Sequence, residues 1–243
     1  MRIIYGVAAV VLLAIVGTVG VVIVKDRQRK AEIAAREAAS QVSPPNLNAD
    51  GSGIRVNPEV TGDVPTLSIY LDFQCPACKS ANDYFGDTVN KLAESGKVKV
   101  EYRVLTFLDT NLRNDSSERS ARASFCADIA GAFPAFHDAV YENQPAEGDG
   151  FTEEQLRVTY PTAAGITGEK LTAYQKCYDD KSTSKAVREA EAKARETWLG
   201  STPQYSINGK NPQVKNEKGE DTDWWRVLEP TEESWMKAIE ANA

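Results

Sequence analysis

Histidine is almost absent from this chain, and the shortage limits the metal sites that it can build. The 243 residues include one histidine, His137, and four cysteines, of which only Cys75 and Cys78 are closely spaced. A structural zinc site usually needs a second Cys-x-x-Cys pair or a spaced histidine pair, and the sequence has neither. Half of a zinc knuckle is therefore the weaker interpretation of Cys75-Pro76-Ala77-Cys78.

Basic residues are also in the minority, with 28 Lys and Arg against 35 Asp and Glu, a formal net charge of −7 and a pI near 5.0. No basic stripe runs through the soluble part of the chain, which argues against nucleic acid as a partner. Internal repeats are absent as well. With 42% hydrophobic residues, the chain can form one ordinary domain with a real core, plus appendages.

One long apolar run stands at the amino terminus, over residues 3–24. It is long enough to span a bilayer and longer than the core of a typical signal peptide. No A-x-A-like cleavage site follows closely, and no cysteine is available for lipid attachment. We therefore predict a transmembrane signal anchor over residues 1–24, with a cleaved signal peptide as the alternative.

The charges around this run conflict with the cysteine content. Arg2 precedes the run, whereas Lys25, Arg27, Arg29 and Lys30 follow it, so the positive-inside rule would place the body of the chain in the cytoplasm. A membrane-tethered Cys-x-x-Cys protein with a second cysteine pair fits an oxidising compartment better. We give the cysteines more weight and expect the body of the chain to lie outside the cytoplasm.

The Cys-x-x-Cys pair lies where a strand becomes a helix. Apolar and polar residues alternate over residues 66–74, which is the period of a strand, and a helical pattern follows the pair. Pro76 falls in the first helical turn, which tolerates a missing N–H group. The N–H groups and the dipole of the helix start would favour a thiolate at Cys75. We predict that Cys75 is the nucleophile and that Cys78, one turn further on, is the resolving thiol.

The rest of the body continues with further strands and helices. Residues 98–105 have the pattern of a second strand, and the segment from about 109 to 199 is helical throughout. Short strands are predicted at 204–207 and 213–215, and Thr231 is predicted to cap a final helix. With the helical block set aside, the order is β-α-β followed by β-β-α, which is the order of the thioredoxin fold.

Three stretches strengthen this match: DFQCPAC at 72–78, AFHDAVYENQP at 135–145 and STPQYSING at 201–209. The chain resembles the DsbA-like thiol:disulfide oxidoreductases of the thioredoxin superfamily, in particular membrane-anchored actinobacterial members with a second disulfide. The resemblance implies an α/β thioredoxin fold over residues 54–243, with an inserted all-helical domain at about 108–199. One N-terminal transmembrane helix would precede it.

Residues 25–53 would connect the anchor to this domain. Residues 25–40 are charged and rich in alanine, which predicts a short juxtamembrane helix. Residues 41–53 contain several prolines, asparagines and glycines, which predicts a flexible linker. The folded domain would thus have some reach from the bilayer.

The resemblance also assigns roles around the cysteines. Thr202 and Pro203 would form a loop opposite the Cys-x-x-Cys motif, joined by a cis peptide bond, that presents backbone to an extended substrate and keeps metals from the thiols. Cys126 and Cys177 would form a structural disulfide that clamps the helical block. A second redox relay is the alternative for this pair, although it lacks a Cys-x-x-Cys spacing and a helix start.

Two departures from better-known members bear on the chemistry. Many carry a histidine between the cysteines, whose charge stabilises the thiolate, but Pro76 and Ala77 supply none, which weakens the expectation of strong oxidising power. Many thioredoxin-like proteins keep a buried acid six positions before the first cysteine, where this chain has Ile69. Asp72 and Glu101 are then the candidate proton acceptors for the resolving cysteine, and solvated strand-end carboxylates are the alternative for both.

Two further side-chain sets have a structural interpretation. His137 follows Phe136 and precedes Val140, so it is predicted to pack within a helix and not to act as an acid, a base or a ligand. Trp224 and Trp225 could line a peptide-binding surface, but aromatic core packing is the safer prediction.

The expected function is that of an extracytoplasmic enzyme, held at the membrane, that introduces disulfide bonds into unfolded secreted proteins. Its Cys75–Cys78 disulfide would serve without a metal or other cofactor, and the resemblance implies reoxidation by a membrane enzyme of the DsbB or VKOR type. A reductase or isomerase is the alternative within the same chemistry, but the chain lacks an extra dimerisation domain, and we expect a monomer. A tethered thioredoxin-fold binding module without turnover is the alternative from another class.

Overall fold

The computed structural model describes three parts of the chain: residues 21–32, 35 and 41–243. The chain divides into two compact units, the first of which ends at Gln41 and contains a helix at its described residues. The predicted membrane span lies outside the described residues except for 21–24. No helix of the described part is both long and apolar enough to cross a bilayer. The anchor at 1–24 therefore stays a prediction.

The second unit, Val42–Ala243, contains a central sheet of four strands. They are β1 (Ile54–Arg55), β2 (Thr66–Leu71), β3 (Lys99–Val104) and β4 (Gln204–Ile207). The order across the sheet is β1-β3-β2-β4; β2 and β3 run parallel, while β1 and β4 pair antiparallel at the edges. Parallel strands in the middle of a sheet are covered on both faces, which explains why β2 and β3 are buried along nearly their whole length.

Helices surround this sheet and fill the long connection between β3 and β4. They are α1 (Pro76–Glu94), α2 (Leu108–Leu112), α3 (Ser116–Ile129), α4 (Phe133–Glu142), α5 (Tyr160–Ala163), α6 (Gly168–Asp179), α7 (Ser184–Ala194) and α8 (Glu232–Asn242). A π-helical turn, Gln155–Thr159, leads directly into α5. α1 packs against both α4 and α8. The thioredoxin-like α/β fold with many helices between β3 and β4 agrees with the sequence prediction.

Local sequence signals explain where several helices begin. Pro76 and Pro134 stand in the first turns of α1 and α4, where a missing N–H group costs no helical hydrogen bond. At the start of α8, the Thr231 side chain accepts a hydrogen bond from Ser234 N at 3.2 Å, which confirms the predicted cap.

The strand predicted at residues 213–215 forms, but it does not join the central sheet. This strand, β5 (Gln213–Lys215), pairs with a strand that the sequence analysis did not predict, β6 (Asp221–Asp223), and the two make a separate small sheet. After the turn that follows β4, only Ile207 and Lys210 pair. Pro212 has no N–H group to donate to a ladder, so the hairpin ends there.

Residues 42–53, predicted as part of a flexible linker, belong to the second unit instead. Asn46 donates to Asp128 twice, from Nδ2 to Oδ1 at 2.9 Å and from its backbone N to Oδ2 at 3.1 Å. Asn48 Nδ2 donates to Glu101 Oε2 at 2.8 Å. The folded unit therefore starts ahead of the expected boundary at residue 54, because the amide side chains that suggested a linker make long-range hydrogen bonds.

The two adjacent tryptophans lie in the core. Trp224 and Trp225 are both buried, and Trp224 Nε1 donates to Tyr205 O at 2.9 Å. Trp235 of α8 contacts Trp224 edge-on, with ring centroids 5.4 Å apart. Core packing is therefore the correct interpretation of this pair.

Cys126 of α3 and Cys177 of α6 form a disulfide, as the resemblance implies. The bond joins two helices of the block between β3 and β4. Their separation of 51 residues closes a long loop in the unfolded chain, which removes more conformational entropy than a short link would.

Replacing Cys126 and Cys177 together by Ser should lower the free energy of unfolding by about 4 kcal/mol, because the unfolded chain regains the entropy of that loop. Chemical denaturation of both proteins without reductant measures the difference. The rate at which iodoacetamide modifies Cys75 in the dithiol form should not change. If the fully folded variant lost the ability to oxidise a reduced secreted protein, the redox-relay interpretation would be favoured instead.

Candidate active site

The two cysteines of the Cys-x-x-Cys motif lie at the start of α1, after the carboxyl end of β2. Cys75 caps the helix with extended backbone, at φ −77° and ψ 115°, and Pro76 begins the first turn. Both cysteines are free thiols, with exposed fractions of 8% for Cys75 and 3% for Cys78. The first turn contains no acidic residue that would repel a thiolate. Cys75 is therefore the more accessible thiol at an electropositive helix end.

The pKa of Cys75 is lowered from 9.0 to about 6. The largest cause is a hydrogen bond with the Cys78 thiol, and partial burial opposes the shift. The Thr202 hydroxyl and the backbone N–H groups of Cys78 and Ala77 add further hydrogen bonds to the anion. At neutral pH Cys75 is thus mainly a thiolate, which is the nucleophilic form.

The pKa of Cys78 moves in the opposite direction, well above 9.0. Burial is the main cause, and the hydrogen bond to Cys75 together with the charge on that sulfur raises it further. Cys78 therefore keeps its proton while Cys75 is ionised. This asymmetry makes one cysteine suitable for attack and the other for a later step.

Thr202 and Pro203 form the loop that faces the thiols. The peptide bond between them is cis, as the resemblance implies, and Cys75 Sγ lies 3.6 Å from Thr202 O. Thr202 Oγ1 is buried beside the two thiols, and its hydroxyl lowers the pKa of Cys75. The structure brings together Cys75, Cys78 and this loop, as predicted.

Asp72 precedes the motif and is fully buried, so it is not a solvated carboxylate. Its carboxylate accepts hydrogen bonds from Gln74 N at 2.9 Å, Ser117 Oγ at 2.6 Å and Leu108 N at 3.1 Å. Burial raises its pKa to about 7, although these hydrogen bonds act in the other direction. Asp72 can exchange a proton near neutral pH, but its carboxylate is held by the starts of α2 and α3.

Glu101 does not belong to the site, contrary to the sequence analysis. Neighbouring residues of a strand point to opposite faces of a sheet, and Tyr102 is the one that borders a cavity beside Cys78. Glu101 instead accepts a hydrogen bond from Arg55 Nη2 at 2.6 Å and one from Asn48. Its buried charge is paired there, so Glu101 is the wrong candidate for a proton acceptor of Cys78.

Two supporting residues were missed by the sequence analysis. Gln144 Nε2 donates to Phe73 O at 2.7 Å and to Cys75 O at 3.1 Å, and Tyr141 Oη donates to Asp72 O at 3.2 Å. Both residues belong to the stretch 135–145, which carried part of the resemblance but was given no role at the site. The sequence did offer a signal for Gln144. It is a polar residue at the end of a predicted helix, in a stretch that the chain shares with the family.

Among residues 21–32, 35 and 41–243, no group of three or more histidine, cysteine or acidic side chains is placed to hold a metal ion.

A family model described as thioredoxin matches residues 64–224, which is most of the chain. The chain belongs to the thioredoxin family. This thioredoxin-family protein matches no curated protein in sequence.

Several solved structures resemble it. The reduced disulfide bond oxidoreductase DsbG from Mycobacterium tuberculosis has 25% identity and a TM-score of 0.55, over 72% of this chain and 82% of that chain. Oxidised DsbA from the same organism has 26% identity and a TM-score of 0.52, with the same two coverages. The thiol-disulfide oxidoreductase MdbA from Actinomyces oris, at 16% identity, shows the fold alone, with a TM-score of 0.61 over 82% of this chain and 92% of that chain. The thioredoxin-family protein is therefore a DsbA-like thiol–disulfide oxidoreductase.

Titration of the reduced protein should place the thiolate of Cys75 at a pKa of about 6. Ala77→His should lower this value, because an imidazolium beside the sulfur stabilises the anion. Thiolate absorbance in the ultraviolet measures both, with Cys75→Ser as the blank. A wild-type midpoint equal to that of an ordinary cysteine, about 8.5, would contradict the assignment of Cys75 as an activated nucleophile.

Proposed function

We propose that this protein introduces disulfide bonds into newly translocated, unfolded proteins outside the cytoplasm, through a redox pair formed by Cys75 and Cys78. The observation that carries the proposal is the opposite shift in the pKa values of the two thiols. A stabilised thiolate lowers the free energy of the reduced enzyme, and an enzyme that is more stable when reduced is a stronger oxidant.

The proposed exchange has two steps. A substrate thiolate attacks Cys75 Sγ of the enzyme disulfide; the Cys75–Cys78 bond breaks, and Cys78 leaves with the electron pair and takes up a proton. A second substrate thiolate then attacks the substrate sulfur of the mixed disulfide, and Cys75 leaves as a thiolate. The substrate loses two electrons, and the enzyme gains them. The low pKa of Cys75 favours its departure, and the high pKa of Cys78 favours its protonation.

The pKa of Cys75 indicates an intermediate oxidising power. Reference values are about 3.5 for DsbA and about 7 for thioredoxin, and the value of about 6 lies between them. Pro76 and Ala77 add no charge to the thiolate, so the helix start, Thr202 and Cys78 supply the stabilisation alone. We therefore place the protein among oxidants that are weaker than those with a histidine in the motif.

The loop at Thr202 and Pro203 is proposed to hold the substrate. Thr202 O lies close to the Cys75 sulfur, as described above, and β4 begins directly after Pro203. An extended peptide that pairs with backbone at this loop would bring its own cysteine to Cys75. Recognition through backbone groups suits unfolded proteins, because it depends little on the side chains of the substrate.

The location and the partner also belong to this proposal. The apolar run at residues 3–24 supports membrane attachment, and the Cys126–Cys177 disulfide supports an oxidising compartment. Each turnover leaves the dithiol form, so an electron acceptor must restore the disulfide. We propose a membrane quinone reductase of the DsbB or VKOR type for this step, acting on a monomer.

Cys75→Ser should abolish oxidation of a reduced secreted protein, because it removes the attacked sulfur. Cys78→Ser should instead accumulate mixed disulfides, because the Cys75 thiolate can still attack a disulfide of a substrate protein, with release of one substrate thiolate, while no second enzyme thiol resolves the adduct. Non-reducing gel electrophoresis followed by mass spectrometry identifies the adducts, and Cys75→Ser serves as the control that cannot form them. Normal turnover by Cys78→Ser would show that the two roles are assigned wrongly.

The redox state of Cys75 and Cys78 in intact cells should be predominantly oxidised. Thiol trapping of the full chain with a maleimide reagent that adds mass measures this state. In a variant with Cys126 and Cys177 both replaced by Ser, only Cys75 and Cys78 can react with the reagent. The added mass then reports on these two cysteines alone. A predominantly reduced pair would favour the reductase or isomerase alternative, and full function of Cys75→Ser would favour a binding module.

A further inference from the structure

A small cavity lies beside Cys78, with a volume of about 20 Å³. A water molecule needs roughly 10–15 Å³ of such space, so the cavity has room for one. Its walls include Cys78, His137 and three tyrosines, Tyr102, Tyr141 and Tyr205. These side chains give a water the polar partners that it needs in a buried site.

His137 also borders this cavity, and the exchange chemistry described above has not used it. Its side chain is only 3% exposed, and Nδ1 lies 2.9 Å from Asp138 Oδ1. In the described part of the chain, Nε2 has no hydrogen-bond partner. The Asp138 side chain is 45% exposed and borders an open surface cleft together with Asn82 and Gly86, which also border the cavity. His137 thus connects the cavity beside Cys78 to a carboxylate at the surface.

The other candidates for the proton of Cys78 are less well placed. The carboxylate of Asp72 does not border the cavity and is occupied by the starts of α2 and α3. Ile69 forms another wall, but its side chain cannot accept a proton. His137, by contrast, borders the cavity and has a second ring nitrogen that can accept a proton.

We propose that His137 accepts the proton of Cys78 through a water in this cavity when Cys78 closes the disulfide. The inference rests on the proposed function and specifies one step of it. Cys78 Sγ attacks the Cys75 sulfur of a mixed disulfide, the Cys75–Cys78 bond forms, and the bond from Cys75 to the partner sulfur breaks. The partner leaves as a thiolate with the electron pair, and the proton passes from Cys78 to the water and from the water to His137 Nε2. Asp138 stabilises the imidazolium, and the reverse path returns the proton to Cys78 during substrate oxidation.

Five titratable groups face His137: Cys78 from α1, Tyr102 from β3, Tyr205 from β4, and Tyr141 and Asp138 from its own helix. Burial raises the pKa of each of the three tyrosines, so they stay neutral near pH 7. The tyrosines therefore do not accept the proton of Cys78, which leaves His137 with its partner Asp138 as the acceptor on this side of Cys78.

The test follows two steps of one reaction in the full chain. Glutathione disulfide first forms an adduct on Cys75 of the reduced enzyme, and Cys78 then displaces glutathione; acid quenching and mass spectrometry follow both steps. His137→Gln should leave the first step unchanged and slow the second by about a hundredfold, the lower end of the range for general acid–base catalysis. It should also remove one ionisation from the pH–rate profile of the second step.

Phe133→Leu is the matched control. Phe133 packs against the His137 ring, with centroids 6.3 Å apart, but it does not border the cavity. This variant should lose stability and keep the rate and pH profile of the second step. An unchanged second step in folded His137→Gln would overturn the proposal. An ionisation that persists in that variant and disappears in Asp72→Asn would also overturn it, because the carboxylate would then be the acceptor.

The wild-type protein gives an independent readout, because His137 is the only histidine. Its ring proton resonances should titrate at different pH in the dithiol and disulfide states of Cys75 and Cys78, since a proton acceptor beside Cys78 must sense that sulfur. Identical titrations would overturn the proposal even if His137→Gln does not fold. Failure of the proposed function would give a different result: the wild type would form no adduct on Cys75. That result would overturn both the proposed function and the role of His137.

Discussion

The hydrogen bond between the Cys78 thiol and the Cys75 sulfur requires that the two side chains stand one helical turn apart at the first turn of α1. At this place the backbone N–H groups of Ala77 and Cys78 also reach the Cys75 sulfur. The same contact lowers the pKa of one thiol and raises that of the other. A shift of the motif by one residue along the helix would separate these effects, so the chemistry depends on where α1 begins.

The helices inserted between β3 and β4 help to fix that beginning. Gln144, just after α4, binds the carbonyl oxygens of Phe73 and Cys75, and Tyr141 binds that of Asp72. The Asp72 carboxylate in turn accepts hydrogen bonds from the first turns of α2 and α3. The buried junction between β2 and α1 thus has its backbone groups satisfied by the insertion. This block is therefore part of the active site's support as well as a cover for the sheet.

Local sequence patterns predicted the central features of the fold and of the site. The features that they did not predict depend on contacts between residues that are far apart in the sequence. The strand-to-helix change around Cys75 is visible in periodicity, and the cis bond before Pro203 follows from the family resemblance. The face of Glu101 was also readable from the alternation along its strand, because Tyr102 next to it points to the other side. The packing of Asn46 on a helix, and the partner of the strand at 213–215, depend on residues far away in sequence, which no local pattern specifies.

The pKa of Cys75 makes the protein's reactivity depend on the acidity around it. With a value of about 6, roughly nine-tenths of Cys75 is thiolate at pH 7 and roughly one-tenth at pH 5. Attack by Cys75 on an oxidant needs that thiolate. Reoxidation of the enzyme to its disulfide form therefore slows as its surroundings become acidic. A mildly acidic medium would thus hold the protein in its reduced form for longer after each turnover, without any regulatory ligand.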